Sequence, residues 1–124
     1  MFQTDFEELL KGRPALEEKY GAFLEVVNNN KHVSQGILEL CEAKVREIHG
    51  VDDAATAATS EAEEVALAIA EKMPFQHHEL TDDDIAAAVS VFGDSGTVAL
   101  LTAVAFMDAT TRLQLTFGGN QRVN

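Results

Sequence analysis

Apolar residues recur at intervals of three and four along nearly the whole chain. That spacing lines one side of an α-helix, and no stretch keeps the strict alternation of a half-buried strand. The pattern predicts an all-α protein. Residues 5–27 offer Phe6, Leu9, Leu10, Leu16, Tyr20, Phe23, Leu24 and Val27, interrupted by Gly12-Arg13-Pro14. Proline removes a backbone donor and disfavours helical geometry at the residue before it, so one short helix and one longer helix are expected. Asn28-Asn29-Asn30 predicts a loop, because asparagine side chains compete for local backbone groups.

Ser34, as an N-cap, opens a helix on which Ile37, Leu38, Cys41, Val45 and Ile48 share a face, with a stop near Gly50. Glu42 and Arg46, four apart, are expected to pair on its polar side. Residues 51–59, rich in alanine and threonine, read as a loop or as a further short helix. Ser60-Glu61-Ala62-Glu63 has the spacing of a capping box, and Val65, Leu67, Ala68, Ile69 and Met73 carry the helix to Pro74. Thr81 before Asp82-Asp83-Asp84 predicts another start, since acids in a first turn oppose the positive end of the helix dipole. Ile85, Val89 and Phe92 follow, and Gly93 ends that helix. A last helix is expected from Ser95 or Thr97 to Phe117, stopped by Gly118-Gly119, with 119–124 as a frayed tail. Its apolar residues cover more than one stripe. One face suits the domain's own core and another suits a second copy, so a homo-oligomer is the expected assembly.

Composition narrows the function classes. The 124 residues, 46% hydrophobic, fit a single domain spanning 1–124. The formal charge of -12, with only nine scattered bases, opposes phosphate backbones and anionic lipid surfaces, so no nucleic acid partner is expected. Residues 1–10 carry three acids and no base, unlike a secretory signal, which points to a cytoplasmic protein. The longest apolar run, Val98 to Met107, is about half of the roughly 20 residues a spanning helix needs, so no membrane role is expected.

The order of signals resembles the carboxymuconolactone decarboxylase family, whose fold is the alkylhydroperoxidase D-like helical bundle. The residues that carry the resemblance are Leu38-Glu39-Leu40-Cys41 through Ile48-His49-Gly50, the Ser60-Glu61-Ala62-Glu63 helix with Ala66-Leu67-Ala68-Ile69-Ala70-Glu71, then Leu80-Thr81-Asp82, and Val104-Ala105-Phe106-Met107-Asp108-Ala109-Thr110-Thr111-Arg112-Leu113. It covers residues 34–118 and implies a bundle of about six helices that forms oligomers, with 1–33 as an N-terminal helical extension. Family members with thiol peroxidase activity place a glutamate twelve residues before a Cys-x-x-Cys, with a histidine four residues after the second cysteine. If Glu39 takes the glutamate position, those places fall to Val51, Ala54 and Ala58. None of the three can attack, resolve a disulfide or move a proton, so the two-cysteine mechanism is not expected.

Five residues remain as candidates for chemistry. Cys41, the only thiol, is either a one-cysteine peroxidase nucleophile or a packed core residue, and its spacing with Ile37, Val45 and Ile48 favours the core. Glu39 is either a residual proton relay or part of a polar face with Glu42 and Arg46. His49 sits at a helix C-terminus, as a cap or as the histidine placed to serve Glu39 and Cys41. Asp108 and Arg112, four apart inside the most apolar helix, form a charge-assisted pair or hold a small organic acid through Arg112. His77-His78-Glu79 lacks metal-ligand spacing, and there is no glycine-rich phosphate loop, so neither a metal nor a cofactor is expected. The leading expectation is a non-redox small-molecule-binding or assembly protein with a pocket between the Glu39 helix and the last helix. The alternative is an enzyme: a decarboxylase or isomerase of a small organic acid, or a one-cysteine peroxidase.

Overall fold

Gly12 takes φ +82° and Pro14 opens the first helix, where its missing N–H has no partner to lose. The computed structural model describes residues 10–51 and 56–123, with side chains as far as Phe117. All secondary structure among the described residues is helical: α1 Pro14–Asn28, α2 Gln35–Ile48, α3 Glu61–Lys72, a single 3-10 turn His77–Glu79, and α4 Asp82–Val123. These four α-helices are fewer than the six expected. The short helix expected ahead of Gly12 lies mainly outside the described residues, and Thr56 to Ser60 form no helix.

The polar residues between α1 and α2 close a turn as expected. Asn30 Oδ1 accepts from the backbone N–H groups of His32 and Val33, and its amide donates to the Val27 carbonyl. Ser34 caps α2 by accepting from Ile37 N–H, and Ser60 caps α3 by accepting from Glu63 N–H. Glu63 then differs from the usual reciprocal box. Its carboxylate accepts from the backbone and hydroxyl of Thr59, one residue ahead of the cap. At α4 the box is complete: Thr81 Oγ1 accepts from Asp84 N–H while Asp84 Oδ2 accepts from Thr81 N–H.

The two final helices expected from the sequence meet at Gly93, whose φ of 76° and ψ of 174° are non-helical, so Asp82–Val123 consists of two helical arms joined at a kink. Thr97 Oγ1 donates back to the Gly93 carbonyl and helps restart the helix beyond the bend. The stop expected at Gly118-Gly119 does not occur, and the helix runs on to Val123. A glycine ends a helix when its φ turns positive; one that keeps helical angles only weakens it.

Leu38, Cys41 and Val45 of α2, Ala66, Ile69 and Ala70 of α3, and Leu100, Ala103, Val104 and Met107 of α4 are fully buried and form one cluster. The α1 helix joins it through Tyr20 and Val27. Glu42 is also buried, which overturns its placement on a polar face. The same spacing that gathers Leu38, Cys41 and Val45 passes through position 42. Thr110 and Thr111, likewise buried, return their hydroxyls to the Met107 carbonyl and so bring no unpaired group into the core.

Candidate functional site

The sequence candidates divide into one assembled cluster and two separate residues. His49, the C-cap of α2, donates from Nε2 to Asp108 Oδ1 of α4 at 2.6 Å. Arg112 Nε donates to the same oxygen at 2.9 Å, one helical turn further on. Arg112 Nη2 also donates to the Pro74 carbonyl, and its guanidinium lies 4.8 Å from the centre of the Phe75 ring. The His49 imidazole meets that ring edge-on at 4.9 Å. Three expected residues thus come together, joined by Pro74, marked in the sequence only as a helix stop, and by Phe75, which nothing in the sequence marks.

Local structure explains each position. Pro74 follows the end of α3 and its carbonyl has no helical partner further along the chain, so it is open to Arg112. Asp108 and Arg112 flank the buried line of Met107 and Thr111, which brings them to the edge of the core rather than into it. Side-chain exposure rises across the cluster, from 4% for His49 to 18% for Asp108 and 47% for Arg112. The innermost group is the imidazole, and a carboxylate shared with an arginine accepts from its Nε2–H.

That arrangement ties three parts of the chain together: the end of α2, the connection after α3, and α4. An aspartate can hold a histidine in position for proton transfer through its other nitrogen; here the His49 side chain is only 4% exposed, so the ring is enclosed. Arg112 already meets a carboxylate and a carbonyl. The cluster therefore works as a clasp between helices.

Cys41 is apart from it. It precedes His49 by eight residues on one helix, about 12 Å of rise, and its thiol donates to the Ala66 carbonyl at 3.7 Å. Burial pushes the thiol up to about 12, far from the thiolate a peroxidase needs at neutral pH. Glu39, two residues earlier, is exposed. No relay connects Glu39, Cys41 and His49. Of the positions aligned with the peroxidase motif, Val51 is half-buried, Ala58 lies in coil before α3, and Ala54 is outside the described residues.

The seam between α2 and α4, where a pocket was expected, is filled by Leu38, Cys41, Val45, Leu100, Val104 and Met107. His77, His78 and Glu79 are exposed on their 3-10 turn, and the described residues contain no group of three or more metal-ligating side chains. The Asp82–Phe117 segment is long and apolar enough, by length and composition alone, to cross a membrane. Set beside known proteins, the chain matches no family model, no curated protein and no solved structure.

Proposed function

We propose that this chain is a non-redox helical domain that assembles with copies of itself through the outer face of α4. The observation that carries this reading is the charge pattern of α4. Between residues 95 and 121 only Asp108 and Arg112 are charged, in a chain of net charge -12, and they pair with each other. The outer line of that stretch runs Val98, Thr102, Ala105, Ala109, Leu113 and Phe117, opposite the buried line. Val98, Leu113 and Phe117 are 63%, 43% and 54% exposed. Acidic surfaces repel their own copies, so a neutral apolar face is where two copies meet at least electrostatic cost.

Three further expectations belong to this reading. The family resemblance supports an oligomer built on a carboxymuconolactone decarboxylase-like plan without its thiols. The buried Cys41 supports a role outside redox chemistry. A membrane-free setting is supported by the occupation of the inner face of α4 by α2 and α3. The acid-metabolising alternative asks His49 to exchange protons and Arg112 to hold a carboxylate, and both already bond to Asp108, so it has less support.

Light scattering after size-exclusion chromatography across a wide concentration range tests the proposal. The wild type is expected to associate, and Val98→Glu and Leu113→Glu, both at exposed positions, are expected to return it to monomer with unchanged helicity. A wild type that stays monomeric throughout, or an oligomer indifferent to both substitutions, overturns the assignment.

A further inference from the structure

A second surface lies on α1. Leu16, Lys19, Tyr20 and Phe23 follow one another at spacings of three, one and three, so they share one side of the helix. With Leu10 and Phe106 they line an open cleft of about 330 Å³ where α1 meets α4. The Tyr20 and Phe23 rings pack on Phe106, with centroids 5.7 and 4.4 Å apart, so the wall of the cleft is aromatic and fixed by packing. Leu16, 55% exposed, forms its outer lip.

Among the described residues Lys19 is the one charged residue in this lining. Elsewhere in the chain, Lys44, Lys72 and Arg112 each lie within ion-pair distance of a carboxylate. Among the described residues no carboxylate stands so close to Lys19 or to Lys31, despite the excess of acids, and of these two Lys19 borders the cleft. A cation with no carboxylate partner among the described residues, set beside an aromatic wall, matches a molecule with an apolar body and one negative end. We propose that the cleft binds a small amphipathic carboxylate, its tail against Leu16, Phe23 and Phe106 and its carboxylate at the Lys19 ammonium. The volume lies at the low end of the roughly 300 to 1,000 Å³ of small-molecule sites, which suits a medium-length tail. This site is separate from the His49–Asp108–Arg112 clasp and from the outer face of α4, so it stands or falls independently of self-association.

The chain itself supplies a reporter. Tyr20 is its only tyrosine and it has no tryptophan, so ultraviolet emission comes from the cleft. Octanoate and the uncharged octanamide are both transparent at these wavelengths, share one tail and differ in head-group charge. Titrated into the full-length protein below their self-association concentrations, octanoate is expected to change Tyr20 emission saturably and to bind about three- to fivefold more tightly than the amide, the scale of one exposed ion pair. Lys19→Met, which keeps an apolar stem at an exposed position, is expected to abolish that difference while leaving helicity intact. Absence of a saturable response to octanoate overturns the proposal, as does equal affinity for the two ligands or a Lys19→Met variant that still distinguishes them.

Discussion

His49 and Asp108 are 59 residues apart in the chain and 2.6 Å apart in the fold. Asp108 serves two donors, the buried imidazole and the half-exposed Arg112 guanidinium, so its two partners have unequal claims on it. Asp108→Ala leaves the His49 Nε2–H enclosed without an acceptor, a cost of about 1 to 3 kcal/mol. Arg112→Ala removes an exposed pair, a cation–π contact and the hydrogen bond to the Pro74 carbonyl, together about 1 to 2 kcal/mol. Urea unfolding of the two variants is expected to show the larger loss for Asp108→Ala. Equal losses would mean that the imidazole does not depend on this carboxylate.

Cys41 is expected to be silent toward thiol reagents in the folded protein. Ellman's reagent at pH 8 should leave the native thiol unmodified and react fully once denaturant exposes it. The same burial has a pH signature. The folded-state value is raised from 9.0 to about 12, so the folded protein keeps this proton longer than the unfolded chain does. Its contribution is therefore whole below about pH 9 and declines as pH rises from there toward 12. Cys41→Ala is expected to remove that part of the alkaline loss, and rapid labelling of the native protein would contradict the buried placement.

Glu63 provides the opposite dependence. The Thr59 backbone N–H and hydroxyl hold its carboxyl below the ordinary glutamate value. A depressed folded-state value contributes stability above the unfolded value, about 4.3, and that contribution fades as pH falls through the folded one. Asp84, held down by the Thr81 backbone and by Lys72, and Glu47, held down by Thr56, act in the same sense. Acid unfolding followed by circular dichroism is expected to be shallower in Glu63→Gln than in the wild type. Superimposable acid limbs would remove Glu63 from the account.

Local signals carried the helices and non-local ones did not. Pro14, Ser34, Ser60, Thr81 and Gly93 each act through neighbours within four residues, and each marks a boundary or bend where the sequence placed one. Gly118 and Gly119 misled because a glycine's identity does not fix its φ. The clasp was half legible: Asp108 and Arg112 are four apart, but nothing along the chain aims them at His49, Pro74 or Phe75. Position 42 did carry a usable signal, since it falls on the buried stripe of α2, and the charge of glutamate outweighed that spacing in the reading. The aromatic cleft was legible only as Leu16, Tyr20 and Phe23; its far wall, Phe106, comes from another helix.

The bend at Gly93 separates two quantities that a mutational tolerance map normally merges. A Cβ built at this position meets nothing within 4 Å, so space does not restrict it. Its φ of 76° with ψ near 180° belongs to a region that is essentially glycine's alone, at a cost of about 1 to 3 kcal/mol for any other residue. In a saturation library scored by stability, position 93 is expected to reject alanine about as firmly as tryptophan. Gly96, where a Cβ would come within 2.7 Å of Phe92 Cβ, is expected to grade its penalties by side-chain size. Intolerance at two glycines three residues apart would then have two causes, chirality at one and volume at the other, and neither would identify a binding residue.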